Sequence, residues 1–168
     1  MRAVPTRDTV LASADRKRRW PGRRASHATV KRSVAALRSV PLFDGFTNRH
    51  LRRLAGESDL VDVEAGHAIV EEGQPGEAMY VILGGGARVV RNGRKVAELI
   101  PGDFFGELSA LDGGPRTASV VADTEMELLR LYRHTLVRVV KDEPGLAIAL
   151  LEGIARRLRH VLPGSSAR

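Results

Sequence analysis

Between Asp59 and Tyr132 the apolar residues come in short runs, whereas on either side of that span they recur at three- and four-residue intervals. The runs are Asp59–Val63, Ala68–Glu71, Ala78–Leu83, Ala87–Arg91, Arg94–Leu99, Thr117–Val121 and Glu127–Tyr132. Each is long enough for a strand and too short for a helix. They are separated by AGH, EGQPG, GGG, RNG and IPGD, turn sequences whose residues suit positive φ. Asn92-Gly93 between two apolar runs predicts a tight hairpin. Seven or eight short strands at this spacing predict an antiparallel sandwich or barrel.

The flanks read as helices. Val30, Val34, Leu37 and Val40 predict a helix from Thr29 that Pro41 interrupts. Thr47 is suited to cap a second helix running through Leu51 and Leu54 to Gly56. In PLFDGF between them, Leu42, Phe43 and Phe46 are placed to pack on the main domain. After Arg133, Leu136, Val137, Val139 and Val140 predict a helix that stops before Pro144. Pro144 then fits the first turn of a last helix carrying Leu146, Ile148, Leu150, Leu151, Ile154, Leu158 and Val161, which Pro163-Gly164 ends. The expected organisation is a disordered basic tail over 1–28, a helical segment over 29–57, a β-roll with two C-terminal helices over 58–162, and a short tail over 163–168. The fold class is mainly β with flanking helices, an antiparallel, jelly-roll-like β-roll.

Composition sharpens this in two places. The formal net charge of +7 is not evenly spread: residues 1–40 hold eleven Lys or Arg against Asp8 and Asp15, and the remainder is close to neutral. A basic arm of this kind can hold nucleic acid or an anionic membrane surface through phosphate contacts, or serve as a solvated extension. Its segment RRAS, Arg23–Ser26, has the two-arginine spacing that basophilic kinases read. The absence of cysteine excludes disulfides, thiol catalysis and cysteine-ligated metal. With no apolar run of membrane-spanning length and no signal-like N-terminus, a cytoplasmic protein is expected.

The candidate chemistry lies in FFGELSALDGGPRTASVVA, from Phe104 to Ala122. Gly106 lets the backbone bend into a short helix at Glu107–Leu111, whose first-turn amides lack intrahelical partners and favour an anion. Asp112-Gly113-Gly114-Pro115 reverses the chain, and Arg116 begins the next strand. Arginine suits a phosphate because its planar fork donates two parallel bonds. Glu107 beside such a cup would repel a bare anion, but it matches a ligand that also carries hydroxyl donors. On residue types alone, a Glu107–Arg116 salt bridge across the turn is the competing reading.

GELSALDGGPRTASVVAD resembles the phosphate-binding cassette of cyclic nucleotide-binding domains, a Phe-Gly-Glu followed after a turn by Arg-Thr-Ala-Ser-Val-like residues. AGHAIVEEGQPGEAMYVILGG and IPGDFFGE resemble the strand-and-glycine framework of the same family, so that Leu42 to about Leu162 is covered. The resemblance implies that Glu107 accepts from a ribose 2′-hydroxyl and that Arg116 pairs with the cyclic phosphate, with the backbone of Gly106, Leu108 and Ser109 completing the cup. It implies that Thr117 can contact the phosphate or the 2-amino group of a syn guanine, which admits cGMP alongside cAMP. Val89 and Leu99 fall where relatives line the base pocket, positions that also read as plain barrel core. Arg156 and Arg157 lie where some relatives cap the base from the last helix, and they read equally as a solvated face.

The function expected is therefore that of a ligand-binding switch, with no catalytic residue, no metal and no cofactor besides the cyclic nucleotide. The five histidines are scattered without a His-x-His, unlike the metal sites of the similarly shaped cupins. Regulators of the catabolite-activator type add a helix-turn-helix after the last helix, where only PGSSAR follows Leu162. Kinase regulatory subunits carry two such domains, and channels carry membrane helices. The expectation is a free-standing sensor that acts on an effector protein, with its C-terminal helices as the surface for a homodimer.

Overall fold

A computed structural model of the chain describes residues 22–24 and 26–161. The described elements are β1 (Arg23–Arg24), α1 (His27–Arg38), a 3₁₀ turn (Pro41–Phe43), α2 (Asn48–Gly56), β2 (Asp59–Val63), β3 (Ala68–Val70), β4 (Ala78–Gly84), β5 (Ala87–Arg91), β6 (Arg94–Leu99), β7 (Phe104–Phe105), α3 (Glu107–Asp112), β8 (Ser119–Ala122), β9 (Met126–Tyr132), α4 (Arg133–Asp142) and α5 (Gly145–Val161). All the strand pairs are antiparallel. One sheet has the order β1-β2-β9-β4-β7 and the other β3-β8-β5-β6, and together they form the roll that the apolar runs predict.

The runs look continuously apolar because the central strands are covered on both faces. Strand residues alternate between faces. In β9, Leu129 and Leu131 join a core against the helices, while Met126 and Leu128 join a second core inside the roll. In β4, Met79 and Val81 face the helices and Ile82 faces the roll. Leu42, Phe43 and Phe46 are buried in the helical core, with the two rings edge to face at 5.1 Å. The β5–β6 hairpin turns at Asn92 (φ 50°) and Gly93 (φ 73°), the paired positive angles of a two-residue turn.

Polar groups lock the ends. Thr47 and His50 form a reciprocal capping box at the start of α2, and His50 Nε2 lies 2.7 Å from Glu143, between α4 and α5. Asp59 accepts from Arg130 Nη2 at 3.0 Å and from the Tyr132 hydroxyl at 2.8 Å. Burial, together with the bond to Asp59, pushes the Tyr132 phenol up to about 12.

The structure departs from the sequence reading in two ways here. Part of the segment expected to be disordered is structured: Arg23–Arg24 pair with β2 as an edge strand, and α1 starts at His27 with Ser26, the serine of RRAS, as its N-cap. The rest of the basic tail and the 163–168 tail lie outside the described residues. Arg116 does not begin a strand, because β8 starts three residues later, at Ser119. The backbone of Arg116 is engaged instead with the Glu71–Pro75 turn: its N–H donates to Gln74 O and its carbonyl accepts from Gly73 N, each at 2.8 Å.

Candidate functional site

The site is built where β7 runs into α3. Gly106 sits at φ 78°, the left-handed region, as the N-cap of α3. A Cβ at this position would stand 2.6 Å from Arg116 Nη1 and 3.1 Å from Ala78 O, so both the angle and the space call for glycine. Glu107 is thereby the first residue of α3, and only 8% of it is exposed. The other end of α3 closes at Gly113, while Arg133 Nη1 donates to Ala110 O at 3.1 Å and to Leu111 O. A helix of six residues is marginal alone and is held here from both ends.

Arg116 approaches from the opposite side, with only 6% of it exposed. Its Nη1 donates to Gly106 O at 3.1 Å, and its Cζ lies 6.0 Å from the centre of the Tyr80 ring. Tyr80 in turn stacks on Phe105 at 5.1 Å across the β4–β7 pair. The guanidinium is therefore fixed on the N-terminal side of α3.

Val89, Leu99, Gly106, Glu107, Leu108, Ser109, Arg116, Thr117 and Arg157 all border one cleft, with Val70, Phe104, Phe105, Ala118 and Val120 completing its wall. Val89 and Leu99 border the cleft and also pack against the inner core. Arg156 is not in the cleft; its guanidinium lies 3.6 Å from Asp44. Neighbouring residues on a helix point about 100° apart, and α5 turns Arg157 toward the cleft and Arg156 away from it.

Glu107 takes its ion-pair partner from α5, where the turn salt bridge had been the competing reading. Arg157 Nη1 is 2.8 Å from Glu107 Oε1, and its Cζ lies 4.4 Å from the centre of the Phe104 ring. Sequence reasoning missed Phe104 as the platform for Arg157, and it missed Gly76, whose lack of a side chain makes room for the Arg116 guanidinium. The only signal for Gly76 was its place in the EGQPGE turn. The charged lining of the cleft is one carboxylate and two guanidiniums, on an apolar floor of Val70, Val89, Leu99 and Val120. That combination suits an anionic ligand with a flat apolar portion and a hydrogen-bond donor. Among the described residues no group of three His, Cys, Asp or Glu could hold a metal ion, and no helix is long and apolar enough to cross a membrane.

The chain is 36% identical over 124 residues to a CRP-like cAMP-activated global transcriptional regulator of Mycobacterium tuberculosis, covering 71% of this chain and 55% of that one. A cAMP-dependent protein kinase regulatory subunit of Aspergillus fumigatus is 38% identical over 108 residues, 63% of this chain and 26% of its own length. The chain thus spans about half the length of the first of these relatives and about a quarter of the second. Among solved structures, the N-terminal domain of a transcriptional regulator from Streptomyces coelicolor superposes with a TM-score of 0.65 at 36% identity, over 75% of this chain and 91% of that one. The model of the cyclic nucleotide-binding domain matches residues 60–143, from β2 through the cassette to the end of α4. Roll, cassette and relatives agree: this chain belongs to the cyclic nucleotide-binding domain family.

Proposed function

We propose that this domain is a sensor that binds a purine 3′,5′-cyclic nucleotide, cAMP in the first place and cGMP by way of Thr117, and passes the binding event to an effector protein. The observation that carries the reading is the buried Arg116 facing the start of α3 with Glu107 beside it, two groups suited to two parts of one ligand. Arg116 takes the cyclic phosphate, assisted by the backbone of Gly106, Leu108 and Ser109. Glu107 accepts from the ribose 2′-hydroxyl, and Val89 and Leu99 receive the base. The two similar curated proteins carry cAMP in their names, which favours that ligand. These relatives are named as a transcriptional regulator and a kinase regulatory subunit, which favours a domain that acts by binding rather than by catalysis.

The output runs through α5, which contributes Arg157 to the cleft wall. A ligand can shift α5 only by its difference in affinity for the two positions of that helix. Calorimetric titration with cAMP, cGMP and linear AMP tests the reading. Micromolar binding of at least one cyclic nucleotide, with linear AMP weaker, is the expected result, and failure of both cyclic nucleotides to bind at that level overturns it.

A second copy of the chain is the partner that α5 suits. Ile148, Leu151 and Leu158 are each more than half exposed, and with the exposed Ala155 they form a stripe at 3-4-3 spacing. That is the seam of a two-stranded coiled coil. Sedimentation equilibrium is expected to give a dimer for the wild type and a monomer for Leu151→Glu. A wild-type monomer at high micromolar concentration removes the dimer and leaves ligand binding standing.

A further inference from the structure

Glu107 and Arg157 form an unequal pair. The carboxylate is buried, with 10% of its side chain exposed, while 43% of the arginine side chain is in solvent. A buried carboxylate needs a donor, and Arg157 supplies it at 2.8 Å. The ligand hydroxyl proposed above to donate to Glu107 would address the same group. The surrounding space is tight as well: the cleft has a cavity volume of about 120 Å³, with Arg157 in its wall. Small-molecule pockets are larger, roughly 300 Å³ and upward.

We infer that Arg157 is an internal competitor for Glu107: the ligand hydroxyl must exchange with its guanidinium, so Arg157 sets both the affinity of the site and how strongly it distinguishes ribose from deoxyribose. This rests on the ribose assignment of Glu107. The half-exposed arginine makes the exchange feasible, because solvent can take up the guanidinium as it leaves. Phe104 gives it a second resting place, since its Cζ already lies 4.4 Å from the ring centre. The exchange is also placed to reach the rest of the molecule. One residue back, Arg156 faces Asp44 at 3.6 Å, and a turn earlier Gly153 brings the α5 backbone against Leu42 in the 3₁₀ turn. Loosening Arg157 therefore removes one of the ties that hold α5 between the roll and the N-terminal helices.

The sign of this effect separates a competitor from a residue that merely covers the ligand. Arg157→Met keeps an apolar stem over Phe104 and removes every donor. It is expected to bind cAMP about fivefold more tightly than wild type, whereas loss of a covering contact weakens binding. The gain is confined to ligands with a 2′-hydroxyl, because 2′-deoxy-cAMP has no donor to exchange and leaves Arg157 on Glu107. Wild type, Arg157→Met and Arg157→Lys are titrated calorimetrically with cAMP and 2′-deoxy-cAMP, with thermal melts to confirm the fold. Arg157→Lys, which keeps the charge, is expected between the other two. Equal or weaker cAMP binding by Arg157→Met overturns the inference, as does an equal gain for both ligands. If the wild type prefers cAMP to its deoxy analogue but Arg157→Met gains nothing, the ribose assignment stands and only the competitor falls. If the wild type binds no cyclic nucleotide, both fall together.

Discussion

Arg116→Ala is expected to weaken cyclic nucleotide binding by about a hundredfold or more, the largest effect of any single substitution in the cleft. The reasoning starts from burial. With 6% of the residue exposed, the guanidinium meets a ligand phosphate in a setting that water screens poorly. Charge-assisted hydrogen bonds contribute about 1.5–3 kcal/mol each, and the arginine fork can make two of them. Two such bonds amount to about 3–6 kcal/mol, so a hundredfold loss is a conservative expectation. Part of the arginine's value is positional. Its N–H and carbonyl are tied to Gln74 and Gly73, and its Nη1 is aimed by Gly106 O. Removing the buried side chain also leaves a void beside Tyr80, so the alanine variant is expected to melt at a lower temperature. Arg116→Lys separates the two effects, because it fills most of the space and keeps the charge but loses the planar fork. It is expected to melt close to wild type and to bind at least about tenfold more weakly. Titration with cAMP and cGMP checks both variants, and wild-type affinity in either one sinks the phosphate assignment.

How far the site could be read in advance follows from how local each signal is. Strands β2, β5 and β6 lie where the apolar runs put them, because burial of alternate residues writes itself into consecutive positions. The Asn92-Gly93 hairpin and the Thr47 cap are equally local, each needing residues only a few positions apart. Glu107 and Arg116 are nine residues apart and joined by one turn, so their place on the wall of one cleft was legible as well. The ion pair of Glu107 was not. Arg157 lies fifty residues away on another element, and nothing in a helical run of arginines says which of Arg156 and Arg157 faces a cleft built elsewhere. The start of β8 was misplaced for a related reason. Thr117 and Ala118 have strand-like composition, but the preceding backbone is bound to a turn that lies forty residues upstream. The β1 pairing depends on the free edge of β2, which an arginine-rich stretch does not announce.

The same Gln74–Gly76 turn supports a second prediction of large effect, at a residue that touches no ligand. A Cβ on Gly76 would stand 2.5 Å from Arg116 Cζ and 2.7 Å from the Ser109 Cβ, and distances this short require something to move. Ser109 is buried within α3, and α3 is held at its far end by Arg133. The guanidinium is the softer neighbour, so it gives way. Moving it by even an ångström takes it off Gly106 O and out of line with the start of α3. Gly76→Ala is therefore expected to cost at least about tenfold in cAMP affinity while the roll stays folded. Gly66→Ala is the matching control. Gly66 sits at φ 85° with nothing within 4 Å of an added Cβ, so alanine there meets backbone strain of about 1 kcal/mol and no neighbour. It is expected to lower the melting temperature and to leave affinity unchanged. The two variants thus separate instability from misplacement: one is less stable and binds normally, and the other binds poorly because a glycine forty residues upstream holds open the space for its arginine. Should Gly76→Ala bind cAMP as wild type does, the position of Arg116 is set by its own backbone ties to Gly73 and Gln74 and not by that clearance.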